Sequence, residues 1–218
     1  MILAIYGGGG LGREALEIAR QMNAVGNKWE DIVVVDDVQK CERVNDAKRV
    51  CFDDFLKSYD KNNARFVIAI GEPEFRKKLF CKVENAGFSF ETLIYPSVHI
   101  PGTAKIGKGV IVFPNVFVSC NTQIGDNVCI QGMCTLCHDS EIKPSSVLAP
   151  GCVICGHCTI GSGTFIGART AVKEDTTIGN DCIIGIGSTV IHNINDNSVA
   201  VGTPAKFVKN KNGMRVFK

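Results

Sequence analysis

From Ile94 to Val190 every sixth residue is Ile, Val or Leu, seventeen positions in a row without an exception. The position four residues further on is restricted as well. It holds Val110, Val116, Thr122, Val128, Cys134, Ser140, Ser146, Cys152, Cys158 and Thr164 through the middle of the run, nearly all small or β-branched. Glycine often follows the aliphatic residue, as in "IGKG", "IGSG" and "IGIG". A six-residue repeat of this kind is the signature of a parallel β-helix built from hexapeptides. Each hexad supplies one short strand and one corner, with the aliphatic residue inside and Gly, Asn, Asp or Pro serving the corners. Three hexads make a triangular coil, so seventeen hexads make between five and six coils. The period does not set the hand of the coil; the general rule for crossovers favours a right-handed one.

The repeat also decides how to read the cysteines. "CTLCH" (Cys134–His138) has the form of a c-type haem attachment, and "CVICGHC" (Cys152–Cys158) puts a second C-x-x-C beside a histidine. In hexad phase, Cys134, Cys152, Cys158 and Cys182 take the small inward position, where cysteine acts as a compact buried apolar residue. Cys137 and Cys155 fall in another phase, across a corner from their partners. Zinc requires converging ligands, so these cysteines read as structural and no metal is expected. His138 and Asp139 remain: two polar residues at a corner, facing outward from an apolar prism.

Charge divides the chain. Residues 1–92 hold 29 of the 46 Asp, Glu, Lys and Arg, and the remaining 17 are spread over residues 93–218. Two domains are expected, 1–92 and 93–218. The net charge of +2 is too small to point to nucleic acid as a partner. No run approaches the ~18 apolar residues of a membrane span, and "MILAIYGGGG" lacks the basic region of a signal peptide. A cytoplasmic protein with reduced thiols is the expectation.

In the first domain "ILAIY" (Ile2–Tyr6) reads as a buried strand, and Gly7, Gly9 and Gly12 match G-x-G-x-x-G. Arg13–Met22 reads as a helix and Ile32–Asp37 as a second strand ending in two acids. This is the order of a Rossmann-like nucleotide fold. Its glycines let backbone N–H groups approach an anion at the helix N-terminus; the alternative is that they only serve a tight turn. Phe66–Gly71 reads as a third strand, Pro73 to near Gly87 as a helix, and Val50–Phe52 as a short strand. About 90 residues amount to half a dinucleotide fold, so a nicotinamide cofactor is not expected.

The order of elements, ending in "VGTPAK" (Val201–Lys206), resembles the bacterial nucleotide-sugar acetyltransferases with a left-handed β-helix. That group comprises bacillosamine and perosamine N-acetyltransferases and sialic acid O-acetyltransferases. The resemblance rests on "YGGGGLGRE", "VVVDD", "VIAIGEPEFRKKL", "CHDSEI", "FIGARTAV" and "IIGIGSTV". It implies an α/β Rossmann-like domain followed by a left-handed parallel β-helix, a homotrimer with active sites between neighbours, acetyl-CoA as donor and a nucleotide-linked amino sugar as acceptor. It implies His138 as general base with Asp139 behind it, and backbone contacts to acetyl-CoA at Ala168 and Ile186. It implies substrate contacts at Gly9, Gly10, Leu11, Asp36, Asp37 and Gly71. Two positions depart from some members: Val147 stands where a second histidine can lie near the thioester, and Leu11 where the glycine loop can carry a histidine.

The chemistry suits these residues. Imidazole, with an ordinary pKa of about 6.5, takes a proton readily near neutrality, and thiolate is a fair leaving group. Three rivals remain. The same machinery could O-acetylate a sugar hydroxyl, as in sialic acid O-acetyltransferases. A γ-type carbonic anhydrase would need three zinc histidines, and the chain has only His99, His138, His157 and His192. A nucleotide-sensing scaffold without activity would keep the fold.

Overall fold

The computed structural model describes residues 1–217. The chain begins with β1 (Ile2–Tyr6), α1 (Gly10–Gly26) and β2 (Asp31–Val35). A two-strand ribbon follows, β3 (Arg43–Val44) and β4 (Ala47–Val50), then α2 (Phe52–Ser58), β5 (Ala64–Ile68), α3 (Pro73–Asn85) and β6 (Ser89–Phe90). The six strands form one sheet in the order β3-β4-β2-β1-β5-β6, parallel except for the β3–β4 ribbon. β1 sits centrally and its side chains alternate between the two faces. Leu3 and Ile5 join a core with α1; Ala4 and Tyr6 join one with Phe52, Phe55, Phe66 and Phe80.

Several boundaries differ from the sequence expectation. α1 starts at Gly10 rather than Arg13, because Gly9 already serves as its extended N-cap. It runs on to Gly26, past the apolar stripe, and is stopped by Asn27 in the left-handed region (φ 44°), whose N–H returns to the Asn23 carbonyl. β2 ends at Val35, since Asp36 turns the chain by accepting the N–H groups of Val38 and Gln39, both at 2.8 Å. β5 begins two residues earlier than Phe66–Gly71 and ends at Ile68, leaving Ala69, Ile70 and Gly71 outside the strand. Phe52 is not in a strand. It opens α2, a helix that sequence reading did not identify, with Asp53 and Asp54 in its first turn where the helix dipole favours acids.

β7 (Leu93–Ile94) opens the second region, in which pairs of residues form strands stacked parallel and in register on three faces. The fold is a left-handed β-helix. The first face carries outward residues Ile111, Cys129, Val147, Phe165 and Ile183. The second carries Phe117, Thr135, Val153, Ala171 and Thr189, and the third Lys105, Gln123, Glu141, Thr159 and Thr177. Inside, the aliphatic series and the small series pack into one core that runs the length of the prism. The inward cysteines belong to it: Cys134, Cys152, Cys158 and Cys182 are buried. From Gly109 to Gly187 the third residue after each aliphatic one has positive φ, as at Asn121, Asp139, His157 and Asp175 (φ 56–58°).

The outward side of the first face packs with α1 and the α1 side of the sheet in one shared apolar core. Arg76 locks the two regions together from the far side. It is fully buried, and it donates to the Asn127 carbonyl of a prism corner at 2.8 and 3.1 Å and to the Ile68 carbonyl at 2.6 Å. After Val190 the chain adds a hairpin (Ser198–Val201 with Lys206–Asn210) and then turns back toward the first region.

Candidate active site

His138 and Asp139 lie at the edge where the second face turns into the third. Asp139 takes the left-handed position of the corner (φ 57°), one of the few conformations an Asp tolerates there. Its N–H is held by the Cys120 carbonyl one coil below, at 3.1 Å. Its Oδ1 accepts Nδ2 of Asn121 at 2.9 Å, and its Oδ2 lies 2.8 Å from His138 Nδ1. The Asn121 hydrogen bond, then that of His138, hold the Asp139 carboxyl below its usual value, so it is charged at neutral pH. A neutral imidazole that donates Nδ1–H to this carboxylate leaves the Nε2 lone pair free to take a proton. The ring is half exposed, and it rests against Gly156 one coil above. A Cβ at Gly156 would fall 2.7 Å from Cε1 and 2.9 Å from Nε2.

One residue at this edge was missed in the sequence. His157 stands edge-on to His138, with ring centroids 5.2 Å apart and Nε2 3.9 Å from Asp139 Oδ2. The signal was present: Asn121, Asp139 and His157 are spaced by one coil, as are His138 and Gly156. Among the described residues, His138, Asp139 and His157 are the one group of three such side chains whose donor atoms gather closely, within 4.8 Å. The two C-x-x-C pairs do not gather in that way. Cys134 Sγ turns inward to the Ala149 carbonyl at 3.2 Å, while Cys137 lies near the surface.

In the first region a cavity of about 350 Å³ opens at the carboxyl ends of β1, β2 and β5. Its walls are Val38, Ile70, Phe75 and Leu79, and Asp36 and Asp37 form its polar end. Asp36 is buried and already accepts three backbone N–H groups, from Gly8 (2.7 Å), Val38 and Gln39. Its part in shaping the glycine loop is therefore structural, whatever else it contacts. Asp37 accepts Tyr6 Oη at 2.6 Å, Phe52 N at 2.8 Å and Lys82 Nζ at 2.9 Å. Burial opposes its charge, but these hydrogen bonds outweigh burial and keep its carboxyl below the ordinary value. Burial and that same carboxylate push the Tyr6 hydroxyl well above its usual range.

The glycine loop contains two kinds of position. Gly12 is packed: a Cβ there would lie 1.8 Å from the Gly7 carbonyl oxygen. Gly9 and Gly10 are exposed and face open space, and no side chain caps the first turn of α1. Tight-turn geometry accounts for the packed glycine but not for the two open ones. Leu11 is half-buried against the interdomain core. Gly71 stands beside the ring of Phe217.

The expected residues do not all meet within one chain. Ala168 and Ile186 stack at the edge between the first and second faces, where Gly187 N–H bonds the Ala168 carbonyl at 2.8 Å. That is a different edge from the one bearing His138. Val147 is fully buried under the first region, on the face away from His138.

Comparison with known proteins agrees with this architecture. Residues 2–83 match the PglD N-terminal domain family, and residues 94–211 match the GMPPB C-terminal domain family. A GDP-perosamine N-acetyltransferase of Escherichia coli O157:H7 is 31% identical over 127 residues, a match covering 57% of this chain. The match spans 56% of that relative's length. PerB from Caulobacter crescentus, solved with CoA and GDP-perosamine, superposes with a TM-score of 0.88 at 28% identity, covering 96% of this chain and 98% of that one. The acetyltransferase domain of PglB from Neisseria gonorrhoeae superposes with a TM-score of 0.88 at 25% identity, over 95% of this chain and 99% of that one.

Proposed function

The chain belongs to the bacterial nucleotide-sugar acetyltransferases with a left-handed β-helix, and from that premise we propose that it transfers the acetyl group of acetyl-CoA to the amine of a nucleotide-linked sugar. The observation that carries this reading is the His138–Asp139 pair, with Nδ1 tied to a carboxylate at 2.8 Å and the rest of the ring exposed at a prism edge. The sugar amine attacks the thioester carbonyl carbon, a C–N bond forms, and the amine proton passes to His138 Nε2. The C–S bond then breaks and CoA leaves as thiolate. Asp139 orients the imidazole and stabilises the imidazolium, while Gly156 leaves room for the ring. A positioned general base of this kind contributes about 10²–10⁴-fold.

We assign nucleotide binding to residues 1–92 and acyl transfer to 93–218. The cavity with apolar walls and the acids Asp36 and Asp37 suits a nucleobase. The open glycines Gly9 and Gly10, with Leu11, lie at the uncapped start of α1, where N–H groups suit a diphosphate. Gly71 follows Ile70 of the cavity wall and is assigned to the substrate, and Ala168 and Ile186 are assigned to acetyl-CoA.

The proposed assembly is a homotrimer, which the faces of the prism support. The first face is covered and the outward residues of the third are largely polar. The second presents Phe117, Val153 and Ala171, with Phe117 57% exposed. Three prisms packed through their second faces bring the His138 edge of each against the Ala168–Ile186 edge of its neighbour. His138 then meets the Ala168–Ile186 donor contacts of an adjacent chain, which its own chain holds on another edge. No helix among the described residues is long and apolar enough to cross a membrane. Its cysteines are free thiols, which suits the cytoplasm, where nucleotide sugars for polysaccharide assembly are made.

The deciding experiment supplies acetyl-CoA with UDP-, dTDP- and GDP-linked amino sugars and follows thiol release, with the corresponding hydroxyl sugars in parallel. Transfer to an amino sugar is expected. Release with the hydroxyl sugars alone would make the enzyme an O-acetyltransferase, and no transfer to any sugar nucleotide would overturn the reading.

A further inference from the structure

The chain continues past "VGTPAK", and the last turn of that extension returns to the mouth of the nucleotide cavity. Residues 214–217 run without regular structure, with a bend at Val216. Met214 and Val216 pack into the core shared by the two regions. Arg215 and Phe217 make contacts with the first region. The guanidinium carbon of Arg215 lies 4.7 Å from the centroid of the Phe75 ring, and Phe75 and Lys78 both line the cavity. The Phe217 ring lies against Gly71, where a Cβ would come within 3.1 Å, and edge-on to Phe165 at 5.5 Å.

This placement is held, not incidental. Glu72 is 4% exposed, and its Oε2 accepts the N–H of Val216 at 2.8 Å and of Phe217 at 3.2 Å. A buried carboxylate spent on two backbone N–H groups fixes the extension in place, and this holds Arg215 over Phe75 beside the cavity. The rim then carries two cations, Lys78 and Arg215. Lys78 is engaged by Glu74 at 2.6 Å. Arg215 has no carboxylate within 4.0 Å among the described residues, and its stacking on Phe75 leaves the edge of the guanidinium plane open to bidentate acceptors.

We propose that Arg215 is a phosphate ligand of the nucleotide site: the C-terminal extension completes that site from the far end of the chain, with Arg215 holding the diphosphate of the acceptor and Phe217 closing the mouth over Gly71. The inference rests on the reading of the first region as a nucleotide-binding domain. It adds a residue to that site from outside residues 1–92.

The test measures binding of a nucleoside diphosphate (UDP, dTDP and GDP in turn) and of the matching nucleoside by calorimetry. The wild-type chain should bind one diphosphate well above its nucleoside. Arg215→Ala should weaken that diphosphate about ten- to a hundredfold and leave the nucleoside unchanged, since a charge-assisted bidentate contact is lost. Arg215→Lys should fall between the two, keeping charge but losing the fork. Equal losses for nucleoside and diphosphate would assign Arg215 a merely structural role and overturn the proposal; so would an unchanged diphosphate affinity. If the wild-type chain binds no nucleoside diphosphate at all, the nucleotide reading of the first region fails instead.

Discussion

The His138 edge and the nucleotide cavity are built by opposite means. The edge is made by translation: each corner repeats one coil later, and a side chain's neighbours are its equivalents above and below. Asn121, Asp139 and His157 meet because they hold the same position in successive coils. The cavity is made by convergence. Its walls come from the ends of β1, β2 and β5 and from α3, and the C-terminal extension reaches its rim. A repeating edge can change one side chain without disturbing its fold, because each rung contacts only its neighbours. A convergent cavity shares its groups: Asp37 alone serves Tyr6, Lys82 and Phe52.

The sharpest test of this contrast is His138→Ala. Turnover should fall about 10²–10⁴-fold, while the thermal unfolding curve and the subunit mass in solution stay as in wild type. A loss of folding would mean that the edge is as interlocked as the cavity. Asp139 should lend no limb of its own to the pH–rate profile above about pH 4, because its carboxyl sits below the ordinary value.

Next in size is Arg76, the one buried side chain that ties the two regions by hydrogen bonds from α3 to a prism corner. Arg76→Met leaves the carbonyls of Asn127 and Ile68 without that donor and should cost about 2–4 kcal/mol. Calorimetry should then show the first region unfolding ahead of the β-helix. A single unchanged transition would mean that the apolar core alone couples them.

Smaller effects compare rungs. Ile154→Val and Ile178→Val occupy the same position on different faces, both fully buried. Each should cost about 0.5–1.5 kcal/mol, and the two should agree closely and add in the double variant. Unequal costs would show that the coils are not equivalent supports.

The smallest effect concerns acid stability. A carboxyl whose folded value is lowered stabilises the fold above its unfolded value near 3.8, and loses that contribution as the pH falls through the folded value. Asp37→Asn should therefore lower stability between pH 6 and 8, where the contribution is fully present, and flatten the profile below about pH 4. An unchanged acid limb would remove Asp37 from the account.

What could be read in advance follows the same division. The β-helix, its inward cysteines and the corner holding His138 were legible because a repeat converts position in the chain into position in space. The strand–glycine loop–helix unit was legible because its contacts are local. α2 was not legible: Phe52 and Phe55 resemble strand residues until the aromatic core on that side of the sheet is known. Nor was the dual use of Asp36, since the three N–H groups it accepts gather only once the loop has closed.

The sequence by itself determined the prism, because seventeen aliphatic residues at a period of six are buried together by a three-sided coil, though the period leaves its hand open. It also determined that a histidine and an acid share a corner. Only the tertiary structure decided which face is covered. The hexad count already puts His138 on one edge and Ala168 and Ile186 on another, but only folding set the first region over the first face. The structure alone also carried Arg215 from the end of the chain to the cavity rim. That contact depends on the buried carboxylate of Glu72, which holds Val216, 144 residues further along the chain, and no local pattern records a pairing over such a distance.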